Sequence, residues 1–221
     1  MGATGEWGTR MRRALLAMLA VLPGTAAVAG IPPEPWVEVV QHADQPISLF
    51  CTPAGDGAAF ADANVFGGSR IDATLAVILY NDQPGWGEPV ANYPAEDMWL
   101  QSYLPTLAPC PGGTIPDANT DQDGRTHWGR PLRAGGHLDP DAGNELLLFV
   151  NGTPAYGLPE LGMRFNSADL NGDGLVNLSD VGEFAIDLFG VYAYRSDFVW
   201  DGIINLSDVG RMARSIGGAC P

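Results

Sequence analysis

A six-residue string occurs twice near the C-terminus of this chain. The string Asn-Leu-Ser-Asp-Val-Gly occupies residues 177–182 and again residues 205–210, so equivalent positions lie 28 residues apart. Each copy follows a segment in which Asp, Asn and Gly recur at the same offsets. A repeat of this kind indicates a duplicated structural unit. Because the pattern changes at residue 166, residues 166–221 are predicted to form a domain of their own.

The offsets within each unit match a loop that winds once around a calcium ion. Calcium takes six to eight oxygen ligands, and a twelve-residue loop supplies them from positions 1, 3, 5, 7, 9 and 12, with glycine at position 6 for a sharp turn. Glycine stands at position 6 in both loops. The predicted Ca²⁺ ligands are Asp169, Asn171, Asp173, the carbonyl of Leu175, Asn177 and Asp180 in the first loop, and Asp197, Asp201, the carbonyl of Ile203, Asn205 and Asp208 in the second. Position 3 of the second loop is Val199, which lacks a ligand oxygen, so we expect the first site to bind more tightly.

Each loop leads into a short amphipathic helix. Apolar residues recur at the i, i+3, i+4, i+7 spacing, which places them on one face. The two stripes are Val181, Phe184, Ala185 and Leu188, and Val209, Met212, Ala213 and Ile216. Gly182 and Gly210 occupy equivalent places in the helices, where each costs about 1 kcal/mol relative to alanine. That cost predicts a close approach of the two helices. Val176 and Ile204, at position 8 of the loops, are expected to pair in the interior.

These units differ from an ordinary EF-hand in two respects. An EF-hand has a helix before its loop, whereas residues 161–168 lack a helical stripe, and its position 12 is Glu, whereas Asp180 and Asp208 stand there. In both respects the segment resembles the dockerin family, whose duplicated repeat is a calcium loop followed by one helix. The resemblance implies a module that docks onto a cohesin-like protein or cell-surface component, often in assemblies that degrade polysaccharides.

The resemblance also implies which residues recognise the partner. In dockerins, loop positions 10 and 11 contribute to recognition. Here they are Leu178 and Ser179 in the first unit and Leu206 and Ser207 in the second. The alternative is a structural role, in which the serines cap the helices and the leucines fill the interior of the module.

The first residues have the order of a secretory signal peptide. Arginines at positions 10, 12 and 13 precede the apolar residues 14–22, and small residues follow up to Ala29. We expect cleavage after Ala29, with Met1 or Met11 as the start, and no later run is long enough to span a membrane. The exported chain keeps 8 of 11 basic and 25 of 26 acidic residues, a formal charge of −17. This charge argues against nucleic acid as a partner and favours cations.

Residues 30–165 have the pattern of short β-strands separated by turns. Between Ile71 and Leu79 apolar residues alternate with period two, which predicts a strand with one buried face. Further strands are expected at residues 145–150 and 161–165, and turns at 81–85 and 120–126. The predicted class is mostly β with a small α module, namely an Ig-like β-sandwich followed by the calcium repeats. Turn motifs at residues 81–90 and 120–136 are similar to those of bacterial invasin-type and intimin-type Ig-like repeats, which implies a structural or binding domain.

Other motifs add no catalytic chemistry. Residues 119–130 have a partial calcium spacing, but Arg130 stands at position 12, so a hairpin turn is favoured. The histidines share no metal-binding spacing, and no nucleophile elbow or phosphate loop occurs. Of three cysteines, Cys51 and Cys110 are expected to pair in an oxidising compartment. We therefore expect a secreted, non-catalytic calcium-binding protein. The alternatives are a carbohydrate-binding or adhesive sandwich that the calcium module merely stabilises, and a small polysaccharide-active enzyme.

Overall fold

The computed structural model describes residues 35–221, so the predicted signal peptide lies outside the described part of the chain. The strands are β1 (Trp36–Gln41), β2 (Ile47–Cys51), β3 (Ala63–Asn64), β4 (Arg70–Ile71), β5 (Leu75–Tyr80), β6 (Met98–Ser102), β7 (Leu107–Pro109), β8 (Arg125–Trp128), β9 (Ala134–Leu138), β10 (Leu146–Val150), β11 (Thr153–Pro154) and β12 (Met163–Ser167). Two helices follow, α1 (Leu178–Phe189) and α2 (Leu206–Ser215). The mostly β class with two C-terminal helices is confirmed. Among residues 35–221, no helix has the length and apolar character needed to cross a membrane.

The strands form three sheets. Their orders are β1-β5-β8, β11-β10-β6 and β4-β3-β2-β12-β9-β7. In the third sheet β2 and β12 run parallel, with Leu49 opposite Phe165. A parallel pair needs a long crossover connection, and here the connection contains most of the other strands. Strand β12 therefore comes last of the strands in the sequence, yet it pairs with β2 near the beginning of the described chain.

Strand β5 shows how the alternating sequence places side chains. Leu75, Val77 and Leu79 expose none of their surface, which confirms the predicted buried face. The predicted strand is not continuous, however, because β4 ends at Ile71 and β5 begins at Leu75. Between them Thr74 donates hydrogen bonds from its backbone N and from Oγ1 to Oδ1 of Asp72, at 2.9 and 2.6 Å. This local turn separates β4 from β5. It does not change which side chains of β5 are buried.

Buried apolar side chains form two clusters. The larger lies within the β-rich part and includes Phe60, Trp128 and Phe165, each with no exposed surface. The smaller lies beneath α1 and α2 and contains Phe184, Phe198 and Met212, together with Phe50 from β2. The Phe50 and Phe184 rings lie 5.0 and 5.6 Å from the Phe198 ring, centroid to centroid. Because one of these rings belongs to β2, the helices are packed against the third sheet.

The calcium repeats join the sheet without a linker. Strand β12 ends two residues before Asp169. The backbone N of Gly136 in β9 donates to the carbonyl of Asp169 at 2.6 Å, and Nδ2 of Asn166 in β12 donates to the carbonyl of Asp197 at 2.7 Å. A side chain at Gly135 would collide with the Asp169 carboxylate, so this close approach requires glycine. Both loops are therefore fixed against the third sheet.

A disulfide joins Cys110 to Cys220, whereas Cys51 is buried and free. The predicted pairing of Cys51 with Cys110 is therefore wrong. Cys51 lies at the end of β2, where its Sγ donates to the carbonyl of Asn166 at 3.3 Å. Cys110 follows β7 at the edge of the third sheet, and β12 and β9 separate β7 from β2. Only the return of the C-terminus to this edge provides a partner, and a disulfide of this kind fits an extracellular protein.

Candidate metal centre

The two predicted calcium loops have nearly the same backbone conformation. At position 6, Gly174 and Gly202 have φ of 85° and 87°, in the left-handed region that favours glycine. Position 4 is also left-handed, with φ of 70° at Gly172 and 56° at Trp200. The strain of a non-glycine residue there is of order 1 kcal/mol, and Trp200 is held in place by edge-on packing against Phe66. The duplicated sequence thus folds into two matching turns.

At position 1, both loops bury an aspartate whose carboxylate accepts hydrogen bonds from two backbone amides. Asp169 accepts hydrogen bonds from the N–H groups of Asp173 and Gly174 at 3.1 and 2.8 Å. Asp197 accepts the equivalent pair at 3.2 and 2.8 Å. Burial raises the pKa of Asp169, and the negative charges of Asp180 and Asp173 raise it further, although the amide hydrogen bonds oppose the shift. The Asp169 carboxylate is therefore held in a site that disfavours its own charge.

At position 12, a second buried aspartate connects each loop to its helix. Asp180 accepts hydrogen bonds from the backbone N of Asn177 at 2.8 Å and of Asn171 at 3.3 Å. Asp208 accepts the equivalent pair at 2.9 and 3.1 Å. Burial raises the pKa of Asp208, and the charge of Asp197 adds to the shift. Each helix thus begins at a carboxylate that also belongs to the loop.

The asparagines at position 9 are the helix caps. Oδ1 of Asn177 accepts a hydrogen bond from the backbone N of Ser179 at 2.7 Å, and Asn205 does the same for Ser207 at 2.8 Å. Together with the position 12 aspartates they form capping boxes. Their Nδ2 groups point to the carbonyls at position 7, which are also predicted ligands. The alternative in which the serines cap the helices is wrong, and the oxygen of each predicted asparagine ligand already has a structural partner.

The position 5 aspartates lie nearer the surface and have local partners. Asp173 is exposed, and its two oxygens accept from the backbone N of Leu175 at 3.0 Å and from Nδ2 of Asn171 at 3.1 Å. Asp201 accepts from the backbone N of Ile203 at 3.0 Å. Across residues 35–221, no three His, Cys, Asp or Glu side chains are grouped so that they could hold a metal ion. The side-chain carboxylates alone therefore do not form a metal site, and a calcium ion in either loop would need amide and backbone carbonyl oxygens as well.

The buried carboxylates are what makes these loops candidates for a cation. Asp169, Asp180, Asp197 and Asp208 expose none of their surface. Within the described residues, none of them forms an ion pair with an arginine or histidine. A buried charge is expensive unless it is paired or bound to a metal. Because every donor is an oxygen, the set suits calcium or magnesium and not zinc. The types of donor atom in each loop therefore suit calcium, although the carboxylates of residues 35–221 are not grouped as a metal site in this structure.

The second loop differs from the first at position 3 and in a contact with a tyrosine. Val199 at position 3 contributes only its backbone N, which donates to Asp208. Tyr192 donates a hydrogen bond from its hydroxyl to Oδ2 of Asp197 at 2.9 Å, a contact that the first loop lacks. Burial and this carboxylate raise the pKa of Tyr192. Tyr192 lies in the spacer between the two repeats, and the repeat pattern alone does not link it to the second loop.

The residues predicted to recognise a partner lie on the surface. Leu178 and Leu206 are 81% and 85% exposed, each at the first position of its helix, so the alternative in which these leucines fill the interior is wrong. The serines that follow them are also exposed. A Cβ at Gly182 would meet nothing within 4 Å, and one at Gly210 would meet only the tip of Arg214. The predicted close approach of the helices at these glycines is therefore also wrong.

The C-terminal residues close over the first loop. Val176 at position 8 is buried in the same cluster against which Ile204 packs, so the two side chains share one interior. The backbone of Val176, however, pairs with Gly217 and Gly218, and the N of Cys220 donates to the carbonyl of Gly174 at 2.9 Å. The chain end and its disulfide thereby hold the first loop in place.

Comparison of the chain with protein-family models, with curated proteins and with solved structures finds no match.

Proposed function

We propose that residues 166–221 are a dockerin-like calcium module that attaches this protein, outside the cell, to a cohesin-like protein or another cell-surface component. The observation that supports this most is the paired exposure of Leu178 and Leu206 at equivalent helix starts. One exposed leucine is ordinary on a protein surface. The same residue exposed twice, in the same setting, gives the module two similar apolar surfaces that a partner can cover.

The helical glycines support the same function. Gly182 and Gly210 lie one turn after Leu178 and Leu206; Gly182 faces open space, and a Cβ at Gly210 would meet only the tip of Arg214. A glycine in an exposed helix costs about 1 kcal/mol relative to alanine, and no contact within the described residues offsets that cost. A partner backbone that approaches the helix closely would do so. On α1 the same face continues through Ile186, which is 70% exposed.

Calcium would make this surface dependent on metal. When bound, the ion supplies positive charge to the buried carboxylates of each loop. The chain's own residues define where each helix begins, because the capping box of Asn177 and Asp180 fixes the first turn of α1. Leu178 projects from that turn. Loss of order in the loop therefore removes the cap and displaces the leucine.

The β-rich part would be the cargo or adhesive portion of the protein. We infer for it an Ig-like sandwich of residues 30–165 with a structural or binding role, possessing no catalytic activity and associated with polysaccharide degradation through the assembly it joins. The core of this part is one cluster to which all three sheets contribute, which supports sheets packed face to face around a single core.

A second function is favoured by the contacts between the module and the sheets. Phe50 of β2 is buried in the helical cluster, and the Cys110–Cys220 disulfide joins the module to the edge of the third sheet. These contacts are those of a stabilising cap on a carbohydrate-binding or adhesive sandwich. The two functions differ in where a partner binds, namely on the helices in the first and on the sheets in the second. Turnover of a polysaccharide would instead indicate the enzyme.

Affinity capture separates these functions. The secreted chain is immobilised in calcium and exposed to envelope proteins of the producing organism, with and without a chelator. We expect one protein to be captured only in calcium, and capture to be lost when Leu178→Asp and Leu206→Asp are combined. The control is Val191→Asp, because Val191 is 90% exposed between the two helices and lies outside the paired surface. Circular dichroism should show that the double variant keeps its helices.

Two results would contradict docking. If the double variant still captures the protein, the leucines have no role in recognition. Glycan binding by the double variant at parental affinity, with chelator lowering only the melting temperature, would establish the cap function instead.

A further inference from the structure

A cavity of about 460 Å³ lies between α2 and the segment that follows β2. Its lining includes Arg70 from β4 and Arg211 and Arg214 from α2, with Phe50 of β2 and small residues of the 57–59 segment around them. Cavities of this size accommodate small organic ligands. The cavity does not involve the exposed leucines, so it is separate from the proposed docking surface.

The charge in this cavity is opposite to that of the rest of the chain. The exported protein has 8 arginines against 25 acidic residues, yet three of those arginines meet here from distant parts of the sequence. Neither Arg211 nor Arg214 forms an ion pair in the part of the chain that the structure describes. Arg70 has only a loose, exposed contact with Asp62, at 3.9 Å. Three arginines against two aspartates, Asp56 and Asp62, leave the lining with a net charge of +1 in a strongly acidic protein, which suits an external anion.

Arg211 is held in position for such a ligand. Its Nη1 donates to the carbonyl of Phe198 at 2.7 Å, and its guanidinium lies 5.4 Å from the centroid of the Phe50 ring. Burial, together with the charges of Arg70 and Arg214, lowers the pKa of Arg211, although Asp208 opposes the shift. One hydrogen bond leaves most of the donors of the guanidinium unused. A planar donor group that is already fixed loses little entropy when it binds an oxyanion.

The same cavity contains two acceptors. Asp56 and Asp62 both contribute to the lining, and Asp56 uses one oxygen to accept a hydrogen bond from Oγ1 of Thr52 at 2.6 Å. Carboxylates repel an oxyanion but accept hydrogen bonds from hydroxyl groups. A ligand that fits all of these groups has an anionic end for the arginines and hydroxyl groups for the aspartates.

We propose that this cavity binds a hydroxylated oxyanion, namely the carboxylate of a sugar acid with its ring hydroxyls. The arginines contact the carboxylate through charge-assisted hydrogen bonds. Asp56 and Asp62 accept from the hydroxyls and thereby discriminate against simple anions, whose charge they repel. This assignment does not depend on whether the helices dock onto a partner.

Calorimetry on the secreted, calcium-loaded chain tests the assignment. Glucuronate is the probe, glucose tests the need for the carboxylate, and acetate tests the need for the hydroxyls. We expect glucuronate to bind and the two controls to bind at least about tenfold more weakly, which corresponds to 1.4 kcal/mol. Arg214→Gln and Arg70→Gln should each weaken glucuronate binding about tenfold or more. Both side chains are exposed, so the fold should tolerate these changes.

Arg125→Gln is the matched control, because Arg125 is an exposed arginine on β8 that does not line the cavity. The Leu178→Asp and Leu206→Asp double variant should bind glucuronate like the parent, which separates this site from the docking surface. The proposal is overturned if glucuronate does not bind, if acetate or glucose binds equally well, or if Arg125→Gln weakens binding as much as Arg214→Gln does.

Discussion

Replacing Asp169 with asparagine measures two free energies separately. One is the cost of burying the carboxylate, and the other is the stability that calcium binding adds. Asp169 accepts two backbone amides at 2.8 and 3.1 Å and exposes none of its surface. Asparagine has the same shape, but its amide group must face one of those two N–H donors. The unpaired donor costs about 1–3 kcal/mol. Removal of a buried charge whose pKa is raised by burial and by Asp180 offsets part of that loss. In chelator the variant should therefore lie within about 2 kcal/mol of the parent in its free energy of unfolding.

The parent and the Asp169→Asn variant should differ in how much calcium stabilises them. An ion at a hundredfold excess over its dissociation constant stabilises the parent by about 2.7 kcal/mol. Loss of a charged ligand that weakens binding at least tenfold reduces this increment to about 1.4 kcal/mol or less. The expected effect is thus a loss of half or more of the calcium increment, independent of any change in the metal-free protein.

Urea unfolding followed by far-ultraviolet circular dichroism measures both quantities, at fixed calcium and in chelator. Asp123→Asn is the control, because Asp123 is an exposed aspartate in a turn of the β-rich part and should leave the increment unchanged. An equal calcium increment in the parent and in Asp169→Asn, or no increment in the parent, would refute the assignment of the loops.

Four further experiments test other parts of the structure. Val199→Asp supplies an oxygen at position 3 and should tighten the weaker of two calcium-binding steps about tenfold in calorimetry; an unchanged titration would contradict the loop register. Burial raises the pKa of the Cys51 thiol to about 12, so the thiolate is scarce near neutral pH and a thiol reagent should react only after urea is added. Serine at both Cys110 and Cys220 opens a 110-residue separation and should lower the free energy of unfolding by up to about 4.7 kcal/mol, whereas an unshifted urea midpoint would argue against the bond. Gly182→Ala should raise stability by about 1 kcal/mol, since its Cβ meets nothing within 4 Å, yet weaken capture of the partner.

Local patterns predicted much of what the structure contains. The period of two around Leu75 and Val77 identified a buried face, because alternation alone decides which side of a strand each residue occupies. Of the predicted apolar stripes of the helices, Phe184 and Met212 lie in the interior, whereas Ile216 follows the end of α2 and is 52% exposed. Position 6 of each loop is a left-handed glycine, as the spacing of the repeat indicated.

Features that depend on distant residues were missed. The partner of Cys110 follows from the return of the C-terminus to β7, which no local pattern shows. Phe50 lies in β2, and only the packing of the helices on the third sheet explains its place beneath α1 and α2. The glycines of the helices were expected to face each other, but helix propensity indicates only that an exposed glycine needs a reason, not which surface provides it.

The direct run of β12 into the first loop has a mechanical consequence. Its pairing with β2 extends in register from Met163 opposite Ile47 to Ser167 opposite Cys51, so tension applied at the helices acts along the strand and loads these hydrogen bonds together. The Cys110–Cys220 bond transmits the remaining tension covalently to the end of β7, an edge strand of the same sheet. A load on the module is thus shared across the third sheet, and the β-rich part would move together with the module.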